Sequence, residues 1–94
     1  MQDTPTTACR LDVWLYRTRL LKTRTGAARL ISSGKVRLTR NGQTDRTRKP
    51  HTLIRPGDGV SFMRGEELLS VRMTAPGTRR GPAPEAQTLY ERLE

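Results

Sequence analysis

The chain has 94 residues, 33% of them hydrophobic, and eighteen Lys/Arg against nine Asp/Glu, giving a net charge of +9. That length supports one small domain with a thin core, and that charge calls for a polyanionic partner. No apolar run approaches the roughly 18 residues of a membrane span, and the single Cys9 rules out an internal disulfide and suits a reducing compartment.

The start, MQDTPTTA, lacks the basic lead and apolar centre of a secretion signal, so a cytoplasmic protein is expected. Residues 1–8 read as a flexible N-terminus. A first helix is expected from Arg10 to Leu20, because Leu11, Trp14, Leu15 and Thr18 recur at i, i+3, i+4, i+7. Asp12 falls in its first turn, where the helix dipole favours a carboxylate. Lys22-Thr23-Arg24-Thr25 forms a joint in which a threonine hydroxyl can cap a second helix. That helix turns Ala27, Leu30 and Ile31 inward and Arg29 outward, and Gly34 supplies its left-handed stop.

The period then changes to 2. In Lys35-Val36-Arg37-Leu38-Thr39, Val36 and Leu38 point inward and Lys35 and Arg37 outward. Asn41-Gly42 signals a hairpin turn. The following QTDRTRKPHT is polar and basic and reads as an exposed loop. Leu53-Ile54 is a short apolar touch-down before the turn Arg55-Pro56-Gly57-Asp58-Gly59. Val60–Met63 and Leu68–Met73 make a hairpin around Arg64-Gly65-Glu66-Glu67. After a Gly/Pro-rich stretch holding Arg79-Arg80, a last amphipathic helix is expected: Pro84 suits its first turn, and Ala86, Leu89, Tyr90 and Leu93 share one face. The expected fold is therefore α+β: two N-terminal helices packed on a small, mainly antiparallel sheet, with a C-terminal helix.

Charge is concentrated in one half. Residues 10–55 hold thirteen Lys/Arg against two acids, whereas 56–94 hold five against six. RNA presents regularly spaced phosphates that such side chains neutralise with release of counterions. Fifteen of the basic residues are Arg, whose planar fork suits phosphate. The joint is the natural phosphate site, since Lys22 and Arg24 lie where the second helix presents free N–H groups. Arg10 and Arg17 approach from the first helix, and Lys35 and Arg37 from the strand, which suggests one concave basic surface. With only Trp14, Tyr16, Phe62 and Tyr90 as aromatics, and Trp14 on a core stripe, base stacking on the sheet is not expected. DNA is the rival partner; against it, Gly26, Ala27 and Ala28 occupy the second helix where base-reading side chains would be wanted. Cys9 has no activating neighbour, His51 is a lone loop residue, and no Ser–His–Asp set, carboxylate pair or Gly-rich nucleotide loop exists. Neither an enzyme nor a metal or cofactor site is expected.

Several pieces occur in a specific order: Arg10-Leu11-Asp12…Leu15, Lys22-Thr23-Arg24, Leu30-Ile31…Gly34-Lys35-Val36-Arg37, Asn41-Gly42, Lys49-Pro50 and Pro56-Gly57-Asp58. In that order they resemble the RNA-binding domain named after the fourth small-subunit ribosomal protein (S-four type). Trp14, the joint KTR and the tail Arg79–Glu91 make the chain most similar to the heat shock protein 15 family. The resemblance covers roughly residues 9–93. It implies a domain over 9–74, followed by a basic linker and helix over 75–94. It also implies a non-enzymatic cytoplasmic factor, expected to be monomeric, that binds large-subunit ribosomal RNA, with tRNA as a further contact. Such a factor recycles free large subunits carrying peptidyl-tRNA. The RNA-binding set is then Arg10, Arg17, Lys22, Thr23, Arg24, Lys35, Arg37, Arg40, Lys49, Arg79 and Arg80.

Two departures bear on that set. The hairpin Val36–Gly42 is longer than the family's V-x-V-N-G, which places Arg40 at the turn and leaves the register open. Residue 13, often basic in the family, is Val. Two other readings stand beside this one: a truncated targeting domain of a pseudouridine-synthase-type RNA-modifying enzyme, given that no catalytic domain follows before Glu94, and a general nucleic-acid-binding or chaperone-like protein.

Overall fold

A computed structural model describes residues 8–93; apart from Ala8, the expectation for residues 1–8 lies outside them. The chain enters through a two-residue strand, β1 (Cys9–Arg10), followed by α1 (Leu11–Arg17) and α2 (Arg24–Ser32). Six further strands follow: β2 (Val36–Arg40), β3 (Gln43–Thr47), β4 (Leu53–Ile54), β5 (Gly59–Arg64), β6 (Glu67–Met73) and β7 (Tyr90–Arg92). A short α3 (Ala83–Ala86) and a 3₁₀ turn (Gln87–Leu89) precede β7. The main sheet is antiparallel throughout, in the order β3-β2-β5-β6-β7, and β1 pairs with β4 in a separate two-stranded ribbon. This is the expected α+β class.

The core is a single cluster. Leu11, Trp14 and Leu15 from α1 and Ala27 and Ile31 from α2 meet Val36, Val60, Phe62, Leu69, Val71 and Met73 from one face of the sheet. The alternation in β2, β5 and β6 turns the other set of side chains outward, as a half-buried antiparallel sheet requires.

Helix α2 is built as its termini suggest. The Thr23 hydroxyl accepts the Gly26 N–H at 2.8 Å. A Cβ at residue 26 would stand 2.9 Å from that same oxygen, so a larger residue there needs a small shift of the cap. Gly34, at φ +80°, carries the chain out of the helix.

Three local expectations are corrected, and the open hairpin register is settled. Helix α1 stops at Arg17 instead of Leu20. The Thr18 hydroxyl donates back to the Leu15 carbonyl at 2.8 Å, and Arg19 enters the left-handed region at φ 66°. The stretch after Asn41-Gly42 is not a loop at first but strand β3, paired with β2 from Arg40↔Gln43 to Val36↔Thr47. Asn41 (φ 54°) and Gly42 (φ 79°) form a two-residue turn with both centres left-handed, so the longer hairpin keeps a regular register. The C-terminal helix is present but short. Thr74 and Ala75 donate N–H groups to the Leu89 carbonyl, and from Tyr90 the chain adds a strand to β6 instead of another helical turn. Leu93 is consequently partly exposed and not on a packed helix face.

Candidate nucleic-acid interface

The eleven candidate residues separate by what their side chains already touch. Arg10 stands at the N-cap position of α1 without a side-chain cap bond and holds Asp12 through two bonds, Nε–Oδ1 at 3.1 Å and Nη2–Oδ2 at 2.8 Å. Asp12 also accepts the Val13 N–H and is almost wholly buried. It is an arginine partner at the helix start.

Arg17, Arg79 and Arg80 belong to a second structural arrangement. Residues 75–81 lie along α1 and are fastened there by side chains donating to backbone carbonyls. Trp14 Nε1 reaches Ala75 O at 3.0 Å, Arg17 reaches Gly77 O at 2.8 Å, and Arg19 reaches Gly81 O. From the other side, Arg80 Nε donates to Tyr16 O at 3.1 Å while its guanidinium lies 4.9 Å over the Tyr16 ring. Arg79 forks onto Glu85. Both are exposed, and the Arg79 hydrogen bonds, helped by its charge, lower the Glu85 carboxyl.

Arg40 sits on the core side of β2, away from Arg37. It grips Asp58 at 2.6 Å and donates to Leu53 O at 2.9 Å. Burial alone would raise the Asp58 carboxyl. The Arg40 fork, the Arg55 N–H bond and both positive charges outweigh burial and hold it below the usual carboxylate range. Asp58 O also accepts Met73 N–H, and Gly57 N–H returns to Met73 O. The Pro56-Gly57-Asp58 turn thus locks β2, β4 and β6 together.

What is left free is concentrated on two sites. Lys22, Thr23 and Arg24 are exposed at the N-terminus of α2, whose first turn contains no acid. The unsatisfied N–H groups and positive dipole end there favour an anion. Lys35 and Arg37 lie past the other end of the helix, on the outer sheet face. A nine-residue helix separates the two groups by about 13 Å of axis, on the order of four phosphate steps along one strand. Lys49 is exposed in the loop after β3.

The sheet site includes two residues that a loop reading of 43–52 overlooks. Arg46 stands directly opposite Arg37 across β2–β3, and the Arg48 guanidinium lies over Gly34, 2.7 Å from where a Cβ would stand. The signal was present: a two-residue turn at Asn41-Gly42 forces residue 46 opposite residue 37. Lys22, Arg24, Lys35, Arg37, Arg46 and Arg48 have no ion pair or side-chain hydrogen bond among the described residues.

None of the Trp, Tyr or Phe rings is openly exposed: Trp14 and Phe62 are in the core, and Tyr16 and Tyr90 are half-buried. Burial pushes the Cys9 thiol up, against a weaker opposing pull from Arg17, so the reactive thiolate is disfavoured. Among the described residues, no His/Cys/Asp/Glu group is placed to hold a metal, and no helix is long and apolar enough to cross a membrane.

Comparison with known proteins places this geometry. The family model for the S4 domain matches residues 9–60. A heat shock protein 15 homolog of Aeromonas salmonicida is 38% identical over 89 residues, covering 95% of this chain and 64% of the relative. Heat shock protein 15 of Escherichia coli (strain K12) is 35% identical over 91 residues, covering 97% and 65%. The chain thus spans about two-thirds, slightly less, of the length of these curated relatives. A solved structure of Vibrio cholerae heat shock protein 15, described as trimeric, superposes with a TM-score of 0.78 at 32% identity, covering 92% of this chain and 82% of that one. With an S4 domain over most of its length and this fold shared almost end to end, the chain belongs to the S4-domain family and, within it, to the heat shock protein 15 group.

Proposed function

We propose that this chain is a non-enzymatic, cytoplasmic RNA-binding protein that attaches to large-subunit ribosomal RNA and helps recycle free large subunits still carrying peptidyl-tRNA. One observation carries the RNA-binding part: among the described residues, the lysines and arginines at the start of α2 and on the outer face of β2–β3 have no ion pair or side-chain hydrogen bond, whereas Arg17, Arg40 and Arg80 are tied down inside the fold. Membership of the heat shock protein 15 group supports the ribosomal address. In this reading, residues 9–74 form the RNA-binding unit and the segment after Thr74 braces it through α1. Lys22, Arg24, Lys35, Arg37 and Lys49 contact phosphate, and Thr23 positions the helix end. Arg10, Arg17, Arg40, Arg79 and Arg80 act mainly by holding the elements that present those contacts.

The binding unit is taken to be the monomer, since these side chains all belong to one chain. The Vibrio cholerae relative is described as a trimer, and sedimentation velocity with and without RNA distinguishes the two states. The functional test is crosslinking in cells followed by sequencing of the attached RNA. Large-subunit RNA together with tRNA is the expected recovery. Predominant messenger RNA, or DNA, would remove the ribosomal assignment.

A further inference from the structure

The outer sheet face carries a feature that phosphate binding alone does not use. An open groove of about 560 Å³ runs across it, with Lys35, Arg37 and Arg46 on the β2–β3 side and Met63 and Leu68 on the β5–β6 side. The register makes these rows continuous. Arg46, Arg37 and Ser61 stand side by side across β3, β2 and β5, while Val36↔Phe62 and Met63↔Leu68 set Lys35, Met63 and Leu68 in the next row.

Three properties of the face point to one kind of occupant. Arg37 and Arg46 are like charges directly opposite each other on neighbouring strands, an arrangement that costs stability unless an anion lies between them. Met63 and Leu68 are 51% and 62% exposed, side by side, which offers apolar contact area to something with a flat face. Ser61, hydrogen-bonded to Ser70 at 3.0 Å, stands beside Arg37 and two residues along β5 from Met63, and its hydroxyl can hydrogen-bond a sugar or base edge; the Thr39–Thr44 pair, 2.7 Å apart, lies on the far side of Arg37 and Arg46. Cation, hydroxyl and apolar surface in that order match phosphate, ribose and base.

We propose that this groove takes an unpaired nucleotide of the bound RNA, its phosphate between Arg37 and Arg46 and its base resting on Met63 and Leu68. The proposal rests on the RNA-binding reading and deepens it. A paired helix hides its bases, so only a bulged or single-stranded residue can lay one on the sheet. Methionine is suited to this contact, because its polarizable thioether adapts to any base. Preference among the four bases is therefore weak, and the groove reads the absence of pairing instead of sequence.

The test uses the full chain and two RNA probes: a 20-base-pair duplex, and the same duplex interrupted by a three-uridine bulge. The expected result is about tenfold tighter binding of the bulged probe. The double substitution Met63→Ser, Leu68→Ser should abolish that preference while leaving duplex affinity unchanged. Both side chains are exposed, so the fold is retained, which circular dichroism checks. With 4-thiouridine in the bulge, photocrosslinks should fall on the peptides holding Met63 or Leu68. Equal wild-type affinity for the two probes overturns this inference and leaves the RNA-binding reading standing; failure to bind either probe overturns both. Self-association that the double substitution removes, with both RNA affinities unchanged, overturns it in favour of a contact between copies of the chain.

Discussion

Two regions of this molecule carry the same kind of residue and use it in opposite ways. Where residues 75–81 lie on α1, Arg17, Arg19 and Arg80 each donate to a backbone carbonyl of the facing segment, and Trp14 does the same from the core. On the outer face of β2 and β3, Arg37 and Arg46 face each other with no acid between them. At the first region the guanidinium serves as a multi-pronged donor that staples irregular chain to a helix. At the second it is a charge held ready. A net charge of +9 is thus a poor guide to how many cations face RNA, because part of it is internal architecture. On this division, substitutions in the tied region should damage the fold first, and substitutions in the free region should damage binding alone.

The severest test of the tied region is Trp14→Ala. The indole is wholly buried and its N–H is the anchor for Ala75. Losing a buried Trp costs on the order of 3–5 kcal/mol, against about 5–15 kcal/mol for a whole small domain. Urea denaturation followed by far-ultraviolet circular dichroism should show a much lower midpoint or no folded baseline. A near-wild-type midpoint would mean that the tail is not fastened through Trp14.

A middle-sized effect is expected at Asp58→Asn, which keeps an oxygen for the Arg55 N–H but removes the charge gripped by Arg40. Hydrogen bonds to charged groups contribute about 1.5–3 kcal/mol. The lower end applies here, because the Arg40 side chain is 38% exposed and solvent screens the pair. The pH dependence has a definite sign. The Asp58 carboxyl is held low in the folded protein, so its contribution is full above the unfolded carboxylate value near 4 and is lost as pH falls through the lower folded value. Thermal melts should show wild type losing its advantage over the variant below about pH 4. An advantage that persists to pH 2 would separate Asp58 from the acid response.

These contrasts also explain what the sequence could reveal. Helix α2, the Asn41-Gly42 turn and the β5–β6 hairpin were legible because local chemistry decides them: a capping hydroxyl, left-handed turn residues, and alternating apolar side chains. Strand β3 was not, since an exposed edge strand of Gln, Thr, Asp and Arg needs no apolar alternation. Its pairing is imposed by the turn and by β2. The end of α1 carries neither glycine nor proline, and Arg19 takes a positive φ all the same. At the C-terminus, Leu89, Tyr90 and Leu93 fit a helical period, but the open edge of β6 offered backbone partners and the strand won. In the candidate interface, the exposure of Lys22, Arg24, Lys35 and Arg37 could be anticipated from the joint and the strand. The diversion of Arg17 and Arg80 could not. Their acceptors are backbone carbonyls about 60 residues distant, and a carbonyl leaves no mark in a sequence.

The smallest effect on stability, and the sharpest test of the comparison, comes from Lys22→Ala, Arg24→Ala and Arg37→Ala combined. All three side chains are exposed and lack partners among the described residues, so each should change stability by less than about 0.5 kcal/mol. Removing Arg37 also relieves its opposition to Arg46, which works slightly in the fold's favour. Binding should respond very differently. If each residue neutralises one phosphate, the slope of log affinity against log salt should shrink by about 2–3 units. Fluorescence anisotropy with a structured ribosomal RNA fragment, repeated across a salt series, measures that slope directly. A triple variant with an unchanged slope would mean that the phosphates are met by other cations, and that lacking an internal partner does not identify a contact. A lowered melting temperature with normal binding would invert the comparison, making these residues part of the scaffold and returning Arg17 and Arg80 to the candidate interface.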